Sequence, residues 1–431
     1  MTNRAKFPFY FVILLVVAGL SIAGCGGNVC GPLGGSGAIT GGPGKGGDGS
    51  HPALFRPAAT TACGTGGGGS TCSSTLTPSN VAYALDATGN VLEYAIDTSG
   101  NLALMCTTTP AATAVGGELA VSKNNFLYVL DKSTTPQIFS FIIGHANTGT
   151  LTPTSPKSLT FTDAKIDGFA HIIADPAGNF IYVTNLDGNN IHVFSINLGS
   201  GILTEVVGSP FTVSTTTQPF SPSFLAPSID GKFVFVTDPV NGDIFIFSVG
   251  SSGTLTQTAS SPFVISSGTA DFPGFAVVSA SGNFLYTADN DSVAGFSIDT
   301  TTGALFQLVG SPVSTSSQNI APELVVIDES GGFLYAPDFT TNGIIGFTLD
   351  SGTGAIGAGQ VAGSPFNFNP ATTFFDVVAN TTGEELFLVT PGATDELVST
   401  APITIATGAL TLPTTASKLV ADSNVVIANV Q

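Results

Sequence analysis

The residues of this chain that could do chemistry are few and widely spaced. Only 9% of the 431 residues are charged, against about a quarter in an ordinary globular chain, and 29 acidic groups outnumber 10 basic ones for a net charge of −19 at pH 7. His171 stands directly before the apolar run Ile172-Ile173-Ala174, where an imidazole could face a ligand or be a satisfied histidine of the core. His145 and His192 read as hairpin and strand-surface residues and make no metal set with it. Six acid or amide residues, Asp86, Asp131, Asn185, Asp238, Asp289 and Asp338, recur at one position of a repeated segment, and Pro391 breaks the column in the last copy. Such a ring on one face would attract cations or cationic ligands; alternatively, Asp and Asn there cap their own hairpins through the backbone. Asp289-Asn290-Asp291 and Asn185-Leu186-Asp187 could help bind Ca²⁺, although neither has the spacing of a full calcium loop, and no other cofactor is indicated. A serine nucleophile in a Gly-x-Ser-x-Gly elbow and paired CxxC zinc ligands are both missing.

The elements that must position these residues are strands. From His171 to Phe211 the chain reads as one unit: an apolar run over 170–174, the turn Asp175-Pro176-Ala177-Gly178-Asn179, and β-branched or aromatic runs over 180–184 and 191–196. Asn185-Leu186-Asp187-Gly188-Asn189 suits a hairpin between the last two; a fourth strand is expected over 202–207, after which Gly208-Ser209-Pro210-Phe211 leads away. The segment NFIYVTN returns as NVAYALD, NFLYVLD, KFVFVTD, NFLYTAD, GFLYAPD and, weakly, ELFLVT. Its central residues Tyr83, Tyr128, Tyr182, Phe235, Tyr286, Tyr335 and Leu388 are 45 to 54 residues apart. Four strands per period of about 50 predict an all-β, seven-bladed β-propeller over residues 78–431. The first copy lacks an inner strand and NVVIAN at 424–429 lacks partners, so the C-terminal strand is expected to complete the first blade and close the ring.

Ahead of the repeats, Arg4 and Lys6 precede the apolar stretch 7–20, and Ile22-Ala23-Gly24 leads into Cys25. This reads as a signal peptide over 1–24 with Cys25 as the lipidated residue, since a small neighbour admits the processing peptidase and the thiol takes the lipid. With Gly26 next, the expectation is an exported protein anchored at the cell envelope, on the outer membrane. Residues 25–77, with GGSG, GGPGKGGDG and GTGGGG, read as a flexible tether; the Gly-Lys pair within them lacks the Ser or Thr of a phosphate loop. Cys30, Cys63, Cys72 and Cys106 allow two disulfides, with Cys63 and Cys72 closing the shortest loop. The acidic balance excludes nucleic acid as a partner and leaves the lipid as the sole membrane attachment of a monomer, with an envelope protein or a small molecule as ligand.

The run Ile181-Tyr182-Val183-Thr184-Asn185, preceded by Asp175-Pro176-Ala177-Gly178-Asn179-Phe180, resembles the YVTN-type, lactonase-like seven-bladed propellers, a family that includes 6-phosphogluconolactonases and cycloisomerases. The resemblance implies a central pocket with a His at the start of an inner strand, together with Arg and Glu. His171 matches that histidine. The next blade, where a Gly-Pro-Arg-His-like segment is implied, carries Ser221-Pro222-Ser223-Phe224, and arginine occurs only at Arg4 and Arg56. The cations beyond residue 78 are Lys123, Lys132, Lys157, Lys165, Lys232 and Lys418. Without bidentate anion binders the sequence points first to a binding or scaffold module, and second to a lactonase-like hydrolase acting on a lactone in the central pocket.

Overall fold

A computed structural model describes residues 70–72, 80–85, 89–96, 102–110, 117–133, 135–144, 150–161, 171–186, 188–212, 220–265, 273–289, 291–315, 322, 324–328, 331–338, 343–367, 376–379, 385–391, 396–411, 417–418 and 424–429. The signal, lipidation and most tether expectations, with Cys25, Cys30, Cys63, Asp86 and His145, lie outside the described residues.

The described chain forms seven antiparallel sheets and no helix. In the third blade, strands Ile172–Ala174, Phe180–Asn185, Asn190–Ile196 and Leu203–Glu205 pair in chain order from the centre outward. Alternating side chains of the two middle strands are buried on both faces, because each blade is sandwiched between two others. Seven apolar clusters result, one between each pair of neighbouring blades. Asn424–Asn429 pairs along its whole length with Asn80–Leu85 and lies between the inner strands of the seventh and second blades, so the ring closes through its C-terminus. Closure satisfies two strand edges that an open array would leave unpaired.

The outermost strand departs from expectation. Rather than running over 202–207 and leading away, it is broken: Leu203–Glu205 pairs with one end of the third strand, and Phe211–Thr212 returns to pair with the other. The same break recurs in the fourth to seventh blades. At the break lies a cis Ser-Pro bond in blades three to six. Its serine hydroxyl accepts the backbone N–H that the gap exposes, at Val193, Ile246, Gly295 and Gly346. Ser70–Cys72, read from sequence as tether, adds a strand outside the first blade, and Cys72 stands opposite the disulfide-bonded Cys106.

Successive blades are locked by one repeated contact. In blades three to seven the glycine closing the third-to-fourth-strand turn has positive φ and sits on a phenylalanine ring of the preceding blade, as with Gly201 on Phe126, Gly303 on Phe233 and Gly354 on Phe284. A Cβ at Gly354 would come within 2.2 Å of that ring. The tyrosine at the centre of the preceding blade then donates its hydroxyl to the same glycine's carbonyl, Tyr128 to Gly201 at 3.1 Å, Tyr286 to Gly354 at 2.7 Å and Tyr335 to Gly408 at 2.8 Å.

His192 is not on a strand surface. It is fully buried, with Nδ1 2.9 Å from Glu205 Oε1, which also accepts the Ser209 hydroxyl, and with Phe161 edge-on to its ring.

Candidate active site where the inner strands begin

The register within each blade defines a column of residues around the axis. The central residues Tyr182, Phe235, Tyr286 and Tyr335 pair with Ile173, Ala226, Val277 and Val326 of their inner strands. Two residues earlier, just before those strands, stand His171, Phe224, Phe275 and Leu324; the corresponding residue of the second blade is Glu118, two before Ala120, the partner of Tyr128. These side chains converge. The His171 ring meets Phe224 edge-on at 5.7 Å and Phe275 at 5.6 Å, and the two phenylalanines stack with centroids 3.7 Å apart. A residue of the third blade can touch one of the fifth only near the axis, so this column lines the central opening.

Local structure holds each member. His171 donates its backbone N–H to Thr184 Oγ1 at 2.8 Å, and that hydroxyl donates onward to the Ser223 carbonyl at 3.0 Å. Phe224 is held the same way by Thr237, and the carbonyl of Phe275 accepts the Thr287 hydroxyl. Glu118 Oε2 accepts the Ile172 N–H at 2.8 Å, which brings a carboxylate from the second blade beside the imidazole of the third.

His171 Nδ1 accepts the Leu225 N–H at 3.2 Å. The neutral ring therefore carries its proton on Nε2 and presents a donor, not a base. Burial among the aromatic rings lowers its pKa below the ordinary histidine value; Glu118 pulls it upward and Lys132 pushes it further down. Lys132, at the end of the second strand of the second blade, is thus within electrostatic reach of the same ring. A carboxylate and a neutral imidazole donor meet at one opening, in the electrostatic field of an ammonium, a combination suited to attack of water on a polarised carbonyl.

The acid and amide column serves the backbone beside it. Asp131, Asn185, Asp238, Asp289 and Asp338 are all buried. Asp131 accepts the Ser133 N–H and hydroxyl, and Asn185 Oδ1 accepts the Gly188 N–H. Asp238 accepts the N–H groups of Val240 and Asn241 with one oxygen, and the Ser221 N–H and Asn241 amide with the other. Where their partners are resolved, these groups hold the hairpin after the second strand and, for Asp238, the link arriving from the preceding blade. Among the described residues no three His, Cys, Asp or Glu side chains are grouped to hold a metal ion.

Sequence reasoning reached His171 alone in this constellation and missed Glu118, Lys132 and the roles of Phe224 and Phe275. The signal was in the repeat: in blades three to six the column residue lies eleven positions before the strand-centre residue.

The family model for the lactonase seven-bladed β-propeller matches residues 119–318 and 171–365, together more than half of the chain. A search of curated proteins returns no match. Among solved structures, a Lactobacillus plantarum protein superposes with a TM-score of 0.63 at 19% identity, covering 81% of this chain and 99% of its own. A candidate 6-phosphogluconolactonase from Bacteroides uniformis gives 0.62 at 18%, covering 81% and 100%. The periplasmic gluconolactonase of Pseudomonas aeruginosa gives 0.60 at 14%, covering 82% and 99%. At such identities the likeness to these structures speaks for the fold alone. With the family model spanning the second to sixth blades and the inner-strand histidine in place, the chain belongs to the lactonase family of seven-bladed β-propellers.

Proposed function

We propose that this protein hydrolyses a lactone at the central opening. The observation that carries the reading is His171, held neutral with Nε2–H as its free donor and set beside Glu118. A binding or scaffold role, the first expectation from sequence, rested on the missing arginines; Lys132 and the His171 donor supply positive character without them. In this reading the Glu118 carboxylate takes a proton from water as the water oxygen bonds to the lactone carbonyl carbon. The carbonyl π pair moves onto its oxygen, which accepts the His171 Nε2–H in the field of Lys132. The tetrahedral centre then collapses, the bond to the ring oxygen breaks, and that oxygen takes the proton from Glu118 to give the hydroxy acid. Gluconolactonase and 6-phosphogluconolactonase, the activities in the names of similar structures, are of this class.

The test is a hydrolysis assay on a panel of neutral and phosphorylated sugar lactones. Turnover lost in His171→Ala and strongly reduced in Glu118→Gln supports the proposal, and turnover indifferent to both sinks it.

We also propose that the enzyme works at the cell envelope, exported by residues 1–24 and anchored by lipid on Cys25 at the outer membrane. The Ile22-Ala23-Gly24-Cys25 run and the glycine-rich 25–77 segment support this. Cys25→Ser should move the protein from the membrane fraction to the soluble one, and unchanged fractionation would count against the anchor.

A further inference from the structure

Resting on the hydrolase reading, the inference here concerns what lactone the opening admits. One side of the site is a stacked aromatic pair. Phe224 and Phe275 stack at 3.7 Å with 29° between their planes, each half-buried where the next column member, Leu324, is fully buried. Both rings also contact His171 edge-on, so whatever lies against them lies beside the Nε2 donor. The electrostatic surroundings disfavour an anion. The propeller contains no arginine, Lys132 is the only cation shown to act on His171, Glu118 acts on that ring in the opposite sense, and the chain as a whole carries −19. A phosphate or second carboxylate would lose its hydration here without a bidentate partner. A ring with an apolar face, or an alkyl-substituted one, would instead displace water from the exposed edges and outer face of this aromatic pair.

We propose that Phe224 and Phe275 form the specificity-determining wall of this site, and that it selects uncharged lactones with an apolar face or chain over phosphorylated or carboxylated ones.

The test compares steady-state kinetics of the full chain on three substrates: an alkyl-substituted γ-lactone, unphosphorylated glucono-δ-lactone, and its 6-phosphate. The expected result is a kcat/KM for the alkyl lactone roughly tenfold or more above that for the phosphate. Phe224→Ala and Phe275→Ala should each raise KM for the alkyl lactone about 5- to 50-fold, and raise it for the alkyl lactone by more than for the 6-phosphate. Phe224→Met and Phe275→Leu, which remove the ring and keep most of the volume, provide folded variants if the alanine proteins fail to fold. A preference for the phosphorylated lactone, or KM values unmoved by loss of either ring, overturns the proposal. If no lactone is hydrolysed at all, the hydrolase reading falls, and calorimetric binding of the matching alkyl and phosphorylated lactams decides the wall separately. Tighter alkyl lactam binding that weakens in Phe224→Ala sustains it; equal or absent binding of both lactams defeats it.

Discussion

Two sets of positions in this molecule behave in opposite ways from blade to blade. At the seams the same contact is built repeatedly: a central tyrosine, a positive-φ glycine in the next blade, and a phenylalanine ring under that glycine. At the starts of the inner strands the residue varies, Glu118, His171, Phe224, Phe275, Leu324. The first set serves stacking, so among the described residues the glycine–phenylalanine contact recurs at five seams, three of them with the tyrosine bond. The second faces the axis, where stacking asks for nothing in particular and different residues can meet. In a repeat protein, chemistry is to be looked for where the repeat is broken. The seams beside the site sharpen this: Phe235 has no hydroxyl to donate, and the buried Tyr182 hydroxyl has no hydrogen-bond partner among the described residues.

The comparison can be broken most severely at the ring closure. Deleting 424–431 strips the first blade of its inner strand and leaves a paired edge open, and a loss on the order of 5 kcal/mol or more is expected. Chemical denaturation would show it as an early, broadened transition; a transition coincident with wild type would mean the closure is dispensable. Next in size is His171→Ala, expected to lower lactone turnover by roughly 10²–10⁴-fold while shifting Tm by no more than about 2 °C. A large Tm drop would move His171 into the structural set.

Gly354→Ala should do the reverse. It forces a side chain into positive φ and onto the Phe284 ring, and costs about 2–4 kcal/mol with kcat unchanged in the folded fraction. Equal melting temperatures would show that the seam yields easily.

A fourth test concerns Glu93, fully buried at the seam between the first and second blades, where its oxygens accept the Thr108 hydroxyl and the Leu151 N–H. Burial pushes its carboxyl from 4.5 up to about 7, against the pull of those two hydrogen bonds, and both burial and Glu93 raise the neighbouring Tyr83 phenol. The folded protein keeps the Glu93 proton where the unfolded chain has released it, so stability is greatest below the unfolded pKa and falls as pH rises through about 7. Roughly 2–3 kcal/mol should be lost across that window. Glu93→Gln should flatten this part of the stability–pH curve, and an identical curve in the variant would refute the assignment.

The smallest expected contrast lies within the tyrosine column. Tyr286→Phe removes a buried hydrogen bond and should cost about 1 kcal/mol, whereas Tyr182→Phe removes an unpaired hydroxyl and should be neutral or slightly stabilising. Equal effects from the two would erase the difference between seams with the bond and the seam without it.

How far each feature could be read from sequence depends on its range. The strand-centre runs FIYVTN, FVFVTD and FLYTAD state their own conformation through β-branched and aromatic content, and their recurrence states the propeller. His171 was legible because it abuts an apolar run. The broken outer strand was not, because Ser209-Pro210 reads locally as an exit, and only the exposed Val193 N–H shows why the chain turns back. His192 was misplaced for a related reason: a polar residue in an alternating strand reads as surface until Glu205, Ser209 and Phe161 are seen to enclose it. The six-member acid and amide column was visible as a column, yet the direction its side chains face depends on hairpin geometry that spacing does not contain.

By itself, then, the amino-acid order determined the number and order of the blades, the closing strand and a chain lacking arginine beyond residue 56, because periodicity and composition are properties of the chain as written. The tertiary structure alone decided that Glu118, Lys132, His171, Phe224 and Phe275 belong together. They come from four blades and are brought close only because seven sheets twist around a common axis and point the beginnings of their inner strands at one opening.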